Sequence, residues 1–228
     1  MSRGERARPG IVVVVTGTGT DVGKTWWTAA TATLLREQGR TVVARKPAQS
    51  FDPDDPAPRD ADVLAAATGE TPARVCPPHR SYPVAWAPPM AADELGKPPI
   101  LLDELVAEMF GPGPEGEDRD EDGAVAPDVL LVETAGGSRA PLAHDGDTVS
   151  LVDALPADLV VVVADAGLGV IHAVRSTVEP YAGRALVVAL NRYDPTDPLH
   201  VRNREWLETR AGFGVVTDPA ELAAGLLP

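Results

Sequence analysis

Cysteine is almost missing from this chain. Cys76 is the single one in 228 residues, which excludes a disulfide framework and a thiolate metal cluster and leaves an ordinary structural thiol as the expectation. Positive charge is also scarce: 20 Lys and Arg stand against 34 Asp and Glu, a formal net charge of −14. Such a surface repels a phosphate backbone and argues against nucleic acid as a partner, so an anionic ligand must be drawn by a local site. Long apolar runs are absent too. No stretch approaches the roughly 20 residues that span a bilayer, and Ser2 to Gly10 is charged with no apolar segment behind it. The expectation is a soluble cytoplasmic protein with neither membrane anchor nor secretory leader. Of the four histidines, His79, His144 and His200 show no metal-ligand spacing and read as surface or structural residues. There is no internal repeat.

What is present starts at Ile11-Val12-Val13-Val14-Val15, an apolar strand followed at once by Thr16-Gly17-Thr18-Gly19-Thr20-Asp21-Val22-Gly23-Lys24-Thr25. Strand, glycine loop and helix start together make a nucleotide-phosphate cradle. Backbone N–H groups of the loop and of the helix N-terminus converge on one spot, where the helix dipole also favours negative charge. Lys24 adds a point charge for the outer phosphates, and the Thr25 hydroxyl is placed to hold Mg²⁺. Thr18 stands where the usual spacing has its first glycine and Gly17 lies one residue earlier, so the loop is longer than the common form. A plain glycine turn accounts for Gly17 and Gly23 but not for Lys24-Thr25.

Further β-branched runs recur at residues 41–44, 129–132, 159–164 and 185–190. Helix-length segments lie between them at 24–38, 61–68, 102–110, 170–181 and 202–209. Continuous apolar strands alternating with helices predict an α/β fold of the P-loop NTPase type. It has a doubly wound, mostly parallel sheet with helices on both faces, and ligands at the carboxyl ends of the strands. The expected organisation is a flexible tail over residues 1–9 and one domain over 10–228. Residues 111–127, rich in Gly, Pro and acids, read as a mobile loop. Trp26 and Trp27 read as packing residues on the first helix.

The remaining candidates sit at strand ends. Lys46 ends the second strand; it is either a solvated terminal charge or a neutraliser of developing charge at the phosphate rim. Glu133 follows Val129-Leu130-Leu131-Val132 and precedes Thr134-Ala135-Gly136-Gly137. By itself it is either a solvated loop acid or an acid that holds Mg²⁺, and the phosphate loop favours the metal, since Mg²⁺ prefers one or two carboxylates together with substrate phosphates. A second carboxylate could come from Asp60 or Asp62, each of which also suits a helix start. Asn191 is either an Asx-turn residue or a reader of a nucleobase edge. Gly167-Leu168-Gly169-Val170-Ile171-His172 is a glycine loop entering a helix, with backbone N–H groups suited to a carboxylate.

With these pieces in order, the chain resembles the dethiobiotin synthetase family from Val12 to about Asn191. The resemblance rests on TGTGTDVGKT, RKPAQS, VETAGG and ADAGLGVIHA, in that order and spacing. It implies a homodimeric, ATP- and Mg²⁺-dependent ligase of biotin synthesis that takes CO₂ and the small-molecule diamine 7,8-diaminononanoate and closes a cyclic urea. Carried onto these residues, it implies that Gly19, Thr20, Asp21, Val22, Gly23, Lys24 and Thr25 cradle the phosphates. Thr25, Asp60 and Glu133 hold the metal, Asp60 being preferred to Asp62 by its distance to Gly69. Lys24, Lys46, Thr20 and Ser50 line the carbamate and the transferred phosphate. Gly169, Val170, Ile171 and His172 receive the substrate carboxylate across the dimer interface, and Asn191 reads the base.

Three residues depart from the family's usual pattern: Thr134 where the turn has glycine, Phe51 after KPAQS where glycine is usual, and His172 where asparagine is usual. Phe51 and His172 bear on the identity of the amine, and the loosely matching Val215 to Pro219 leaves the base preference open. Other readings stay in view. One is a divergent relative acting on another diamine. A second is an amidotransferase-linked ligase, which needs a glutaminase domain for which 228 residues are expected to leave no room. A third is a partitioning-type P-loop ATPase, which usually carries an extra lysine early in the loop, where this chain has Thr18-Gly19.

Overall fold

The computed structural model describes residues 8–110 and 126–226. The chain runs β1 (Ile11–Gly17), α1 (Lys24–Glu37), β2 (Val42–Arg45), β3 (Gln49–Ser50), α2 (Asp60–Thr68), α3 (Pro72–Val75), β4 (Ser81–Tyr82), α4 (Pro88–Glu94), α5 (Leu102–Phe110) and β5 (Val129–Glu133). It continues through β6 (Pro141–Ala143), β7 (Gly146–Asp147), α6 (Thr148–Ala154), β8 (Leu159–Asp165), α7 (Val170–Val178), β9 (Leu186–Asn191), α8 (Pro198–Thr209), β10 (Gly214–Val216) and α9 (Pro219–Gly225). The expected mobile loop lies outside the described residues except for 126 and 127. Of the expected tail, only Arg8 and Pro9 are described, and they are anchored: Arg8 pairs with Asp158 at 2.7 Å, and Pro9 is buried.

Six strands form one sheet in the order β10-β9-β8-β1-β5-β2, and every pairing in it is parallel. Because side chains alternate across a strand, the valines of β1 divide between two cores. Val12 and Val14 join Leu130, Val132, Val160 and Val162 on the face that also buries Leu105, Leu151, Val174 and Leu207. Val13 and Val15 join Leu131, Val161 and Val163 against Trp27 and Leu35 of α1 and Leu222 of α9. A strand covered on both faces has no solvent side, which explains unbroken apolar runs in place of alternation. The doubly wound parallel architecture is as expected. The central β1, flanked by β5 and β8, brings three carboxyl ends together beneath the phosphate loop.

Several local expectations need correction. Strand β2 ends at Arg45, so Lys46 is the first residue beyond it. The last turn of the expected 170–181 helix is a separate 3₁₀ turn at Glu179–Tyr181, where Pro180 has no N–H for the α ladder. Helix α8 starts at Pro198, not 202, because Asp197 caps it by accepting from the Leu199 N–H at 2.8 Å. Trp27 is 1% exposed but Trp26 is 57% exposed; adjacent helical residues point about 100° apart, so only one of the two faces the sheet.

Candidate active site

The phosphate loop is shaped by two left-handed residues, Asp21 (φ 57°) and Gly23 (φ 96°), just before α1 starts at Lys24. Gly17 and Gly23 are required by close approach. A Cβ on Gly17 would lie 2.7 Å from Val22 Cγ2 and 3.0 Å from the Val163 carbonyl, and one on Gly23 would overlap the Asn191 amide. Lys24 folds back along the loop, its Nζ donating to the Gly19 carbonyl at 2.7 Å. Burial lowers the Lys24 pKa and the neighbouring Lys46 lowers it further, against the opposing pull of Glu133, Asp60 and Asp21.

Beside the loop lies a compact charge cluster. Lys46 Nζ is 2.7 Å from Glu133 Oε1 and 2.6 Å from Asp60 Oδ2. The Thr25 hydroxyl lies 2.8 Å from Asp60 Oδ1 and 2.8 Å from Glu133 Oε1, donating to one at a time. Burial alone would depress the Lys46 pKa, but the two carboxylates outweigh it and hold the ammonium well above the usual lysine range. For Asp60, burial pushes upward, and Lys46 and Thr25 together pull the carboxyl below its ordinary value. Glu133 is fully buried, and its second oxygen, Oε2, has no hydrogen-bond partner among the described residues. An orphaned buried carboxylate oxygen beside a hydroxyl and a second carboxylate is a hard-oxygen donor set that suits Mg²⁺. No group of three or more His, Cys, Asp or Glu fit to hold a metal occurs among the described residues; the donor set of the cluster is the two carboxylates of Asp60 and Glu133 and the Thr25 hydroxyl.

The two aspartates that the sequence left open have separate jobs. Asp60 opens α2 and faces the cluster, whereas the exposed Asp62 accepts from the Arg59 N–H at 3.3 Å. Gln49 sets the start of that helix: its Nε2 donates to Ser81 Oγ at 2.9 Å and its Oε1 accepts from the Ala61 N–H at 3.0 Å. Ser50 donates to the Trp86 carbonyl. Phe51 lies under Arg59, whose guanidinium carbon is 4.3 Å from the ring centroid. Thr134 is fully buried, its N–H bonded to the Val15 carbonyl at 3.0 Å. Thr20 and His172 are exposed, Val170 is buried and Ile171 half-buried. Gly169 takes φ 92° to open α7, beside a Leu168 that is 92% exposed. Asn191, at the end of β9, donates from Nδ2 to the Val22 carbonyl at 3.0 Å, leaving Oδ1 free of any protein donor among the described residues.

A family model described as an AAA domain matches residues 12–216. The ATP-dependent dethiobiotin synthetase BioD of Caulobacter sp. (strain K31) is 36% identical to this chain, over 77% of it and 73% of that protein. The protein of the same name from Haloferax mediterranei is 35% identical over 90% of this chain and 82% of its own length. The chain belongs to the dethiobiotin synthetase family. Among solved structures, the Pyrococcus furiosus cell division ATPase MinD superimposes with a TM-score of 0.50 at 22% identity, covering 96% of this chain and 89% of its own. The signal recognition particle receptor FtsY from Elizabethkingia anophelis gives 0.51 at 14%, covering 96% of this chain and 66% of its own. These two likenesses concern the fold alone.

Within this synthetase family frame, Lys24, Thr25, Lys46, Asp60 and Glu133 are brought together as one unit. Ser50 and the 169–172 segment lie on other elements and are not linked to that unit by any hydrogen bond among the described residues. Two contributors escaped the sequence reading. Gln49 sits inside the RKPAQS segment, where its neighbours drew attention to themselves. Arg192, directly after Asn191, adopts φ 54° and carries no motif signal.

Proposed function

We propose that this chain is an ATP-dependent dethiobiotin synthetase, a ligase that forms two C–N bonds to close the cyclic urea of dethiobiotin from 7,8-diaminononanoate and CO₂. One amine takes up CO₂ and loses a proton to give a carbamate. A carbamate oxygen attacks the γ-phosphorus of ATP, breaking its bond to ADP and forming a carbamic-phosphoric anhydride. The second amine then attacks the carbonyl carbon and expels phosphate, which closes the ring.

The observation that carries this reading is the Lys24–Lys46–Thr25–Asp60–Glu133 unit at the strand ends. Phosphoryl transfer needs alignment and charge neutralisation more than covalent help. Lys24, released from the Gly19 carbonyl, serves the outer phosphates, and Lys46, released from the carboxylates, neutralises the transferred group. Thr25, Asp60 and Glu133 are the residues that would hold Mg²⁺, which supplies positive charge to the β- and γ-phosphate oxygens when bound. Thr20 and Ser50 line the carbamate end. The α7 N-terminus, from Gly169 to His172, offers backbone N–H groups to the substrate carboxylate, with a second copy of the chain completing the site as a homodimer. Asn191 Oδ1 accepts from an exocyclic amine of the base. The acidic surface and the absence of a membrane-crossing helix among the described residues support a cytoplasmic enzyme without nucleic-acid or membrane partners, working as one domain over 10–228.

The test is phosphate release with ATP, Mg²⁺, bicarbonate and 7,8-diaminononanoate, omitting each in turn. Release that needs both the diamine and bicarbonate supports the reading; release indifferent to the diamine refutes it.

A further inference from the structure

Asp21 and Arg192 are the two residues other than glycine with positive φ among those described, at 57° and 54°. Such a backbone costs free energy and persists only where its surroundings hold it. Here the two strained residues hold each other: Arg192 Nη2 donates to the Asp21 carbonyl at 3.2 Å. The residue before it does the same one step along the loop, Asn191 Nδ2 donating to the Val22 carbonyl at 3.0 Å. Consecutive carbonyls of the phosphate loop are thus drawn towards the end of β9.

The peptide unit is planar and trans, so its N–H points opposite to its C=O. Pulling the Asp21 and Val22 carbonyls outward aims the Val22 and Gly23 N–H groups the other way, which is how a loop presents a nest of donors to an anion. Arg192 is itself braced: its Nη1 donates at 2.6 Å to Asp165 Oδ2 at the end of β8. The other oxygen of Asp165 accepts from the Gly167 N–H at 3.1 Å. Asp165 and Asn191 are direct neighbours in the sheet register, so the brace is built on adjacent strand ends.

We infer that Arg192 is a positioning residue that presets the phosphate loop for the triphosphate, acting through the Asp21 carbonyl and held in place by Asp165. This rests on the reading that the loop binds the nucleotide phosphates. The ion pair is open to water, with side-chain exposures of 61% and 47%, and exposed pairs contribute little to global stability. The guanidinium therefore acts on the shape of the loop rather than on the survival of the fold.

The variant that isolates the side chain is Arg192→Gly, since glycine takes the left-handed backbone without strain. Calorimetric titration with a non-hydrolysable ATP analogue should show its Kd raised about tenfold by the loss of preorganisation. The KM for the diamine should stay within roughly twofold and the Tm within about 2 °C. Arg192→Lys, which keeps a cationic donor, should recover most of the affinity, and Asp165→Asn should give a smaller loss of the same sign. A Kd in Arg192→Gly within about twofold of the unmodified protein overturns the inference, as does a joint shift of both substrates and the Tm. Lys24→Ala separates the two ideas. If it loses nucleotide affinity while Arg192→Gly does not, the brace alone fails; if it too is without effect, the phosphate-loop reading fails and the brace with it.

Discussion

Replacing Lys46 by methionine keeps the length of the side chain and removes its charge, and the consequence follows from the burial of its partners. The Lys46 side chain is 3% exposed and that of Glu133 fully buried, whereas that of Asp60 is 40% exposed. Stripping one partner from a buried pair costs about 3–5 kcal/mol, because the other charge is left without compensation. The half-open Asp60 arm adds only about 0–1 kcal/mol, since water screens it. For a chain of this size each kcal/mol moves the melting temperature by about 2–4 °C, so the combined loss of about 3–6 kcal/mol in Lys46→Met should lower the Tm by about 6–24 °C at neutral pH. Thermal unfolding followed by circular dichroism measures this. Adding Glu133→Gln removes the stranded carboxylate, so the double variant should be more stable than Lys46→Met alone. A Tm for Lys46→Met within about 2 °C of the unmodified protein, or a double variant less stable than the single one, would refute the argument.

If Glu133 holds Mg²⁺ as proposed, Glu133→Gln alone should raise the Mg²⁺ concentration for half-maximal phosphate release by about tenfold or more, since it removes one of the two negative charges offered to the ion. An unchanged Mg²⁺ titration removes it from the metal site. Asp60→Asn should impair the same titration, whereas Asp62→Ala should leave it alone and cost only about 0.5–1 kcal/mol in urea unfolding, the scale of a lost helix cap. Acid should destabilise the fold through the carboxyls held low by their partners, Asp60 beside Lys46 and Asp147 at the start of α6. A depressed folded pKa contributes stability that is present above the unfolded value, about 3.9, and is lost as pH falls through the folded one. Urea unfolding between neutral pH and pH about 3 should show that decline, and a flat profile would contradict it. His172→Asn should change the diamine KM more than the ATP KM; equal or absent effects take that residue away from the substrate.

The phosphate loop was legible because its chemistry is local: strand, glycines, Lys24 and Thr25 are contiguous, and one helix start holds them. Lys46 and Glu133 were legible as strand-end residues, since parallel strands deliver their carboxyl ends to one rim. Asp60 and Asp62 could not be separated from composition, because both lie in the first turn of α2 and only the helix direction distinguishes them. The short β10 and α9 passed unnoticed although Asp218-Pro219 carries the same start signal as Asp197-Pro198, with Asp218 accepting from the Ala220 N–H. Arg192 was out of reach for a different reason. Its partners Asp21 and Asp165 are 171 and 27 residues away, and its left-handed backbone is imposed by that tertiary contact rather than by any residue preference.

The most direct test of the central claim is the mass of the product formed from ATP, Mg²⁺, isotopically labelled bicarbonate and 7,8-diaminononanoate, read alongside phosphate release. The account predicts one phosphate for each product molecule and a product that carries the labelled carbon as a carbonyl in place of two hydrogens. Phosphate released at the same rate without the diamine, with the diamine recovered unchanged and unlabelled, would contradict it.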